Sequence, residues 1–168
     1  LGVMRPVSGL NATFAASMAL PGTVGFISQS GALLTAILDW SFRENVGFSA
    51  FVSVGSMLDV DFGDVLNHFS GDANVRAIVL YVEHITAARK FMSAARAVSR
   101  LKPVIALKVG RHSAGAEASM SHTGALVGSD ETFSSALSRS GVLRVESISQ
   151  LFAAAKALSS RYRGAAER

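Results

Sequence analysis

The feature that most limits what this chain can fold into is an alternation of two kinds of segment. TVGFIS (23–28), FSAFVSV (48–54), VRAIVLYV (75–82) and KPVIALKV (102–109) are short and almost continuously apolar, and a shorter VLRV (142–145) follows. Runs of this kind suit strands covered on both faces. Longer segments lie between them. In SGALLTAILDWSFREN (30–45) the residues Leu33, Ile37 and Trp40 recur at helical spacing, with Leu34 and Leu38 beside them. DFGDVLNHFSGD (61–72) reads as a short helix with Asp61 as its N-cap. Residues 86–100 place Ala88, Phe91, Met92, Ala95 and Val98 on one helical face, and ETFSSALSRS (131–140) is a further helix. Ser147 and Gln150 form an S-x-x-Q capping box that opens a last helix, with Ile148, Leu151, Phe152, Ala155 and Leu158 inward. Strand and helix in regular alternation predict an α/β fold: a doubly wound, parallel, five-stranded sheet with right-handed crossovers and flavodoxin-like strand order.

Composition narrows the class. A chain of 168 residues fits one domain, and 49% hydrophobic content supplies a sizeable core. Charged residues make up only 17%, which points to apolar surface meeting other domains. The absence of cysteine excludes disulfides, thiol catalysis and thiolate metal sites. No apolar run approaches the roughly 20 residues of a membrane-spanning helix, and no secretory signal pattern is visible, so a cytoplasmic protein is expected. The net charge is +4, but Arg43, Arg76, Arg89, Lys90, Arg96, Arg100 and Lys102 are scattered along the sequence. They read as solvated helix faces and ends, and no nucleic-acid partner is expected. The opening LGVMRPVSGLNATFA lacks a clear period. Residues 1–22 are expected to be a linker from a preceding domain, 23–163 the folded domain, and 164–168 the start of another linker, in a piece of a longer protein.

One connection breaks the rhythm. Between Val109 and Ser129 the chain carries Gly110, Gly115, Gly124 and Gly128 without a helical or strand pattern. Connections in compact α/β domains usually run about 2–6 residues, so this one reads as either a mobile linker or a functional loop. It leaves the carboxyl end of the fourth parallel strand, the ligand-binding edge of such a sheet.

Four clusters share that edge: SQSG (28–31), VGSMLDVD (54–61), VEH (82–84) and the KVGRH stretch (108–112) that leads to SMSHTGALVG (119–128). Ser30 can cap the following helix, and Gly31 lets a ligand approach its backbone. The helix N-terminus then favours a phosphate or carboxylate, although an ordinary serine cap would look the same. Glu83 follows directly on the apolar AIVLYV. It is either an exposed strand end or a carboxylate facing the site. His68, His84 and His112 read as packing or surface residues. Asp59 and Asp61 lack a third ligand, so no metal site is expected. His122 alone would be a loop histidine. Together with a carboxylate able to hold its second nitrogen and a helix end able to hold an anion, it completes the set needed to put a phosphoryl group on histidine. Neutral imidazole, with a reference pKa of about 6.5, is a competent nucleophile near pH 7.

SQSGAL (28–33), the glutamate after the third parallel strand and SHTGAL (121–126) together resemble the nucleotide-diphosphate-forming acyl-CoA synthetases, which include ADP-forming acetyl-CoA synthetase and the α subunit of succinyl-CoA synthetase. The resemblance covers essentially the whole chain and places it in the family's middle, flavodoxin-like domain. It implies that His122 is the phosphorylated histidine and Glu83 the carboxylate that orients it. The backbone of Ser30, Gly31 and Ala32 would hold phosphate, and Gly55 and Ser56 would line the acyl site. It further implies coenzyme A, ATP or ADP and Mg bound mainly by other domains, with phosphate and a small acyl substrate. A CoA-binding Rossmann domain and an ATP-grasp domain would be partners, within an oligomer. The fragment alone is expected to be inactive. LDWSFRENVGFSAFVSVG and LYVEHITAARKFMSAARAVSRLKPVIALKVGR look most like bacterial versions fused to a GNAT domain. They leave an alternative open: an acetyl-CoA-sensing regulatory domain of a protein lysine acetyltransferase. A flavin-binding module is disfavoured, because SQSG is too short to wrap a flavin phosphate.

Overall fold

Pro21–Ser28 forms the central strand, β3, in a computed structural model that describes residues 2–109 and 130–159. It is followed in the chain by α1 (Gly31–Glu44), β4 (Phe48–Ser53), α2 (Phe62–Gly71), β5 (Ala77–Val82), α3 (Ala88–Ser99) and β6 (Val104–Lys108). Then come α4 (Asp130–Arg139), β7 (Leu143–Val145) and α5 (Ile148–Ser159). Before β3 lie β1 (Val3–Arg5), a 3-10 turn at Pro6–Ser8 and β2 (Leu10–Ala12). Among the described residues the strands form one 7-stranded sheet in the order β2-β1-β4-β3-β5-β6-β7.

The five strands expected from the apolar runs are all present, and their pairs β3–β4, β3–β5, β5–β6 and β6–β7 are parallel. Taken alone, they lie in the flavodoxin-like order anticipated from the alternation. The expected strand count is corrected upward by two. Residues 3–12, read as part of a linker, pair into the sheet instead: β1 runs antiparallel to β4, with Met4 opposite Phe51, and β2 runs antiparallel to β1. Their length hides them in the sequence. Each strand has three residues, and β2 is exposed throughout, so alternation has no room to show. Among the described residues no helix is long and apolar enough to cross a membrane.

Strand pleating sorts the apolar runs into two cores. On one face Val24, Phe26, Phe48, Phe51, Val79, Ile105 and Leu107 meet Leu34, Ile37 and Leu38 of α1 and Leu151 and Ala155 of α5. On the other, Ile27, Ala50, Ile78, Leu80, Val82, Val104 and Ala106 meet α2 and α3 through Leu66, Phe69, Phe91, Ala95 and Val98, with Leu137 of α4. Each helix buries one stripe, which places every crossover on its own side of the sheet and gathers the strand-to-helix turns at the carboxyl edge.

The caps set the element boundaries. Asp61 accepts from the N–H groups of Gly63 (2.7 Å) and Asp64 (3.1 Å), and Asp64 accepts in return from the Asp61 N–H, a full capping box. Asn45 ends α1 in the left-handed region at φ 54°. At the last helix Ser147 Oγ accepts from the Gln150 N–H, as anticipated. The return bond of the expected box is displaced by one residue: Gln150 Oε1 accepts from the N–H of Glu146. The long Gln side chain reaches past Ser147 to the donor that the strand end leaves open.

Candidate functional site

The turn between β3 and α1 is only Gln29 and Ser30, and it is densely hydrogen-bonded. Ser28 is fully buried, and its hydroxyl accepts from the Ser30 N–H (3.0 Å) and donates to the Ser30 carbonyl (2.8 Å). The Ser28 carbonyl accepts from Val54 of the strand end on one side, and the Gln29 N–H donates to the Tyr81 carbonyl on the other. Ser30 caps α1 as expected, its hydroxyl accepting from Leu33 N–H at 3.3 Å. Gly31 and Ala32 are the first helical residues, Gly31 half-buried and Ala32 exposed. The first turn of α1 carries no acidic side chain. The positive end of this 14-residue helix is therefore left unneutralised by its own residues, which suits an incoming anion.

Gln29 joins this turn to the next strand end. Its side chain is 7% exposed. Gln29 Oε1 accepts from the N–H groups of Glu83 (2.7 Å) and His84 (3.0 Å), and Nε2 stands 3.2 Å from His84 Nδ1. Glu83, half-buried, is thus the first residue past β5 and is bracketed to the helix turn. Its charge reaches two neighbours. It adds to burial in raising the Tyr81 hydroxyl pKa. Burial lowers the Lys108 pKa, the charges of Asp130 and Glu83 pull it back up, and Arg144 pushes it down.

Lys108 ends β6 with only 5% of its surface exposed. Its ammonium donates to the Val109 carbonyl and lies 5.7 Å from the centre of the Phe133 ring. Arg144 of β7 faces the same ring at 6.0 Å and pairs with the Asp130 carboxylate at the start of α4. The end of β6 and the start of α4 therefore share one aromatic ring between two cations.

The expected site residues are distributed as follows. Ser30, Gly31, Ala32 and Glu83 are brought to one edge, bridged by Gln29. Gly55 and Ser56 are exposed on the turn past β4, Gly55 at φ +52°, and among the described residues no hydrogen bond ties them to Gln29, Ser30 or Glu83. His122 lies outside the described residues, as does the rest of the 110–128 connection with His112. His84, read as a packing or surface residue, is half-buried beside the Gln29 amide. His68 is exposed on α2 with Arg5 Nη1 at 3.5 Å. Asp61 is the helix cap it was expected to be, and among the described residues no three His, Cys, Asp or Glu side chains group to hold a metal ion. The basic residues read as scattered are partly gathered: Arg89 and Arg96 of α3 and Arg100 at its C-cap line one groove with Arg139 of α4. Their spacing puts the first three on a single helix stripe, invisible in linear order.

The description of the family model that fits the chain is a succinyl-CoA ligase like flavodoxin domain, and it matches residues 21–158. The chain belongs to this family. Among curated relatives of this succinyl-CoA ligase-like domain, the α subunit of ADP-forming acetate–CoA ligase I from Pyrococcus furiosus is 48% identical over 158 residues. That match covers 94% of this chain and 34% of the relative. An ADP-forming 4-hydroxybutyrate–CoA ligase from Nitrosopumilus maritimus is 37% identical, over 95% of this chain and 23% of its own length. Among solved structures, a dinucleotide-forming acetyl-coenzyme A synthetase 1 of Ca. Korarchaeum cryptofilum in complex with phosphate and ADP superposes with a TM-score of 0.89 at 42% identity. That superposition takes in 94% of this chain and 34% of the other. The chain thus spans about a third of the length of the Pyrococcus relative.

Two residues of this succinyl-CoA ligase-like domain, Gln29 and Lys108, stand at the edge without being among the expected site residues. Gln29 lies inside SQSG, and its signal in the sequence is a long amide in a two-residue strand-to-helix turn. Lys108 was visible as a cation ending an apolar strand, which burial makes costly unless it serves a site.

Proposed function

We propose that this chain is the phosphoryl-relay domain of an NDP-forming acid–CoA ligase, with His122 as the phosphorylated residue. The observation that carries the reading is the bridge from the unneutralised α1 N-terminus through Gln29 to Glu83. It sets an anion-holding helix end and a carboxylate side by side at the carboxyl edge of the sheet. That edge is also where the chain leaves β6 toward His122.

In this reading an acyl-CoA reacts with phosphate to give an acyl phosphate and free CoA. An imidazole nitrogen of His122 then attacks phosphorus. The bond between phosphorus and the acyl oxygen breaks, and the carboxylic acid leaves as its anion. The N–H groups of Gly31 and Ala32 hold the phosphoryl oxygens through the charge build-up. Glu83 accepts from the second imidazole nitrogen, fixes the ring and balances the cationic phosphohistidine. The Lys108 ammonium adds positive charge to the same edge. His122 then passes the group to ADP, and every step runs in reverse for acyl-CoA synthesis. Gly55 and Ser56 line the acyl side.

The rest of the protein would supply a CoA-binding Rossmann domain and an ATP-grasp domain with Mg. The relatives' extra length supports this, and an oligomer acting in the cytoplasm on a small acyl substrate fits it. The test uses the full-length protein. With γ-labelled ATP and Mg²⁺ it acquires acid-labile, base-stable label, and His122→Ala abolishes it. Label that is absent, or that survives the substitution, refutes the reading. Glu83→Gln slows labelling while the domain stays folded, and an unchanged rate removes the role of Glu83.

A further inference from the structure

We infer that Gln29 is the positioning residue of this site: its side-chain amide fixes the backbone that carries Glu83 relative to the N-terminus of α1. The inference rests on the reading of Glu83 and His122 given above.

Pairing along β5 shows why a side chain is needed there. The ladder to β3 ends at Ser28 opposite Tyr81, and the ladder to β6 ends at Val82 opposite Lys108. Among the described residues both ladders stop there, and no strand partner takes the N–H groups of Glu83 and His84. Gln29 Oε1 takes both, at 2.7 and 3.0 Å. An amide oxygen has two lone pairs, so these bonds fill it and settle which way the amide faces. The NH₂ group is left turned to the His84 ring, 3.2 Å from Nδ1 and 3.5 Å from Nε2. An amide nitrogen only donates, so the ring nitrogen it meets must accept.

The Gln29 backbone adds a third tie, its own N–H donating to the Tyr81 carbonyl. One residue thus grips β5 at Tyr81, Glu83 and His84. The next residue in the chain, Ser30, is the α1 cap. The path from the phosphate-holding helix end to the Glu83 backbone is one peptide bond and one side chain, 7% exposed and bonded at both ends. The ladder and the Gln29 N–H hold the turn to Tyr81; the Gln29 side chain carries that hold on to the N–H groups of Glu83 and His84. Gln also fits where related side chains do not. A methionine fills the volume but bonds neither N–H. Asparagine carries the same groups one methylene short of reach. Glutamate accepts both bonds but loses the donor to His84 and sets a second negative charge beside the anion site.

Full-length protein carrying Gln29→Met tests this, with His122 labelling by γ-labelled ATP as the readout. The rate falls by about 10- to 100-fold, the range for lost support behind a reacting group, while the KM for ATP is unchanged. The decisive arm is a cycle with Glu83→Gln. Because Gln29 acts through Glu83, Gln29→Met slows labelling little or not at all further in the Glu83→Gln background. Gln29→Asn, which keeps a polar amide at the turn, serves in the same cycle where the Met variant does not fold. Amide exchange gives a readout apart from activity: the Glu83 and His84 N–H groups lose protection in either variant. A wild-type labelling rate in Gln29→Met, or an equal fold-loss in both backgrounds, overturns the inference while leaving the relay reading intact. Absence of label in the unsubstituted protein overturns both.

Discussion

Arg5 Nη2 lies 2.5 Å from Asp72 Oδ2, so the first strand of the sheet is fastened to the end of α2, 67 residues away in sequence. Burial pushes the Asp72 carboxyl up. The Asn74 N–H and the Arg5 charge pull it further down, and the net pKa falls below the usual 3.8. A carboxyl lowered in the fold stabilises fully above its unfolded value, and that contribution is lost as pH drops through the lower folded value. Arg5→Met is expected to cost about 1–2 kcal/mol near neutrality, between the values for exposed and buried pairs. Urea unfolding from pH 7 down to pH 2 checks this: the gap between the two proteins narrows once the pH passes below 3.8. A gap that stays constant with pH would assign the loss to packing of the arginine stem.

Lys108 sets stability against function. Burial lowers its pKa from 10.5, so the fold holds the ammonium at a cost. The cost is present in full below the folded pKa and fades as pH rises toward 10.5, where the unfolded chain also loses its proton. Lys108→Met is therefore expected to raise Tm at pH 7, with the gain shrinking toward pH 10.5. It is expected to slow His122 labelling by about tenfold or more through the lost positive charge. A variant that is both less stable and fully active would contradict both parts. Thermal scans at three pH values beside one labelling assay decide it.

Much of this molecule is legible in the apolar runs. A run such as AIVLYV, almost continuously apolar, marks a strand covered on both faces, and Asp61 announces the start of α2 as its cap. The carboxyl-edge site is legible in part, because Ser30 and Glu83 follow strand ends at the edge where parallel sheets bind ligands. What stayed hidden depends on partners far apart in the chain. Met4 is buried against Phe51, yet three-residue β1 has too few positions to display alternation. Gln29 meets Glu83 only because two strands 54 residues apart lie side by side. Arg139 joins Arg96 and Arg100 only through the packing of α4 beside α3. Local rules reveal elements and caps; the bonds between strand ends follow from topology.

Gly25 owes its place to one ring. A Cβ built there would stand 2.7 Å from Phe69 Cε2 and 3.1 Å from Val75 Cγ1, inside the fully buried core under α2. Neither neighbour can swing to solvent. Gly25→Ala is expected to destabilise by about 1–3 kcal/mol, as overpacked cores do. Phe69→Leu, destabilising alone, is expected to cost less in the Gly25→Ala background, because the smaller side chain frees the space the methyl takes. Chemical denaturation of the two single variants and the double measures the coupling. Additive losses would mean that the backbone of β3, and not the ring, absorbs the methyl.

Lys90 of α3 reaches both carboxylates of the α2 capping box, Asp64 at 2.5 Å and Asp61 at 3.2 Å. The hydrogen bond to Asp64 raises the Lys90 pKa, and the bond from Lys90 lowers that of Asp64. The ion pair therefore supports the fold between the two titrations. It begins to fade in acid below 3.8 and is lost as pH falls through the lower folded value of Asp64; in base it begins to fade above 10.5 and is lost as pH rises through the higher folded value of Lys90. The cap and the pair separate by substitution. Asp61→Ala removes the acceptor for Gly63 and Asp64 and is expected to cost about 1–2 kcal/mol, the range for a lost N-cap. Asp61→Asn keeps an acceptor oxygen for those N–H groups and loses only charge, so its cost is expected to stay within about 1 kcal/mol and to shrink in high salt. Asp59→Ala, exposed on the preceding turn, is expected to leave stability unchanged. Denaturation in low and high salt distinguishes the outcomes. An Asp61→Asn variant as unstable as Asp61→Ala would show that the charge toward Lys90, and not the cap, holds α2 to α3.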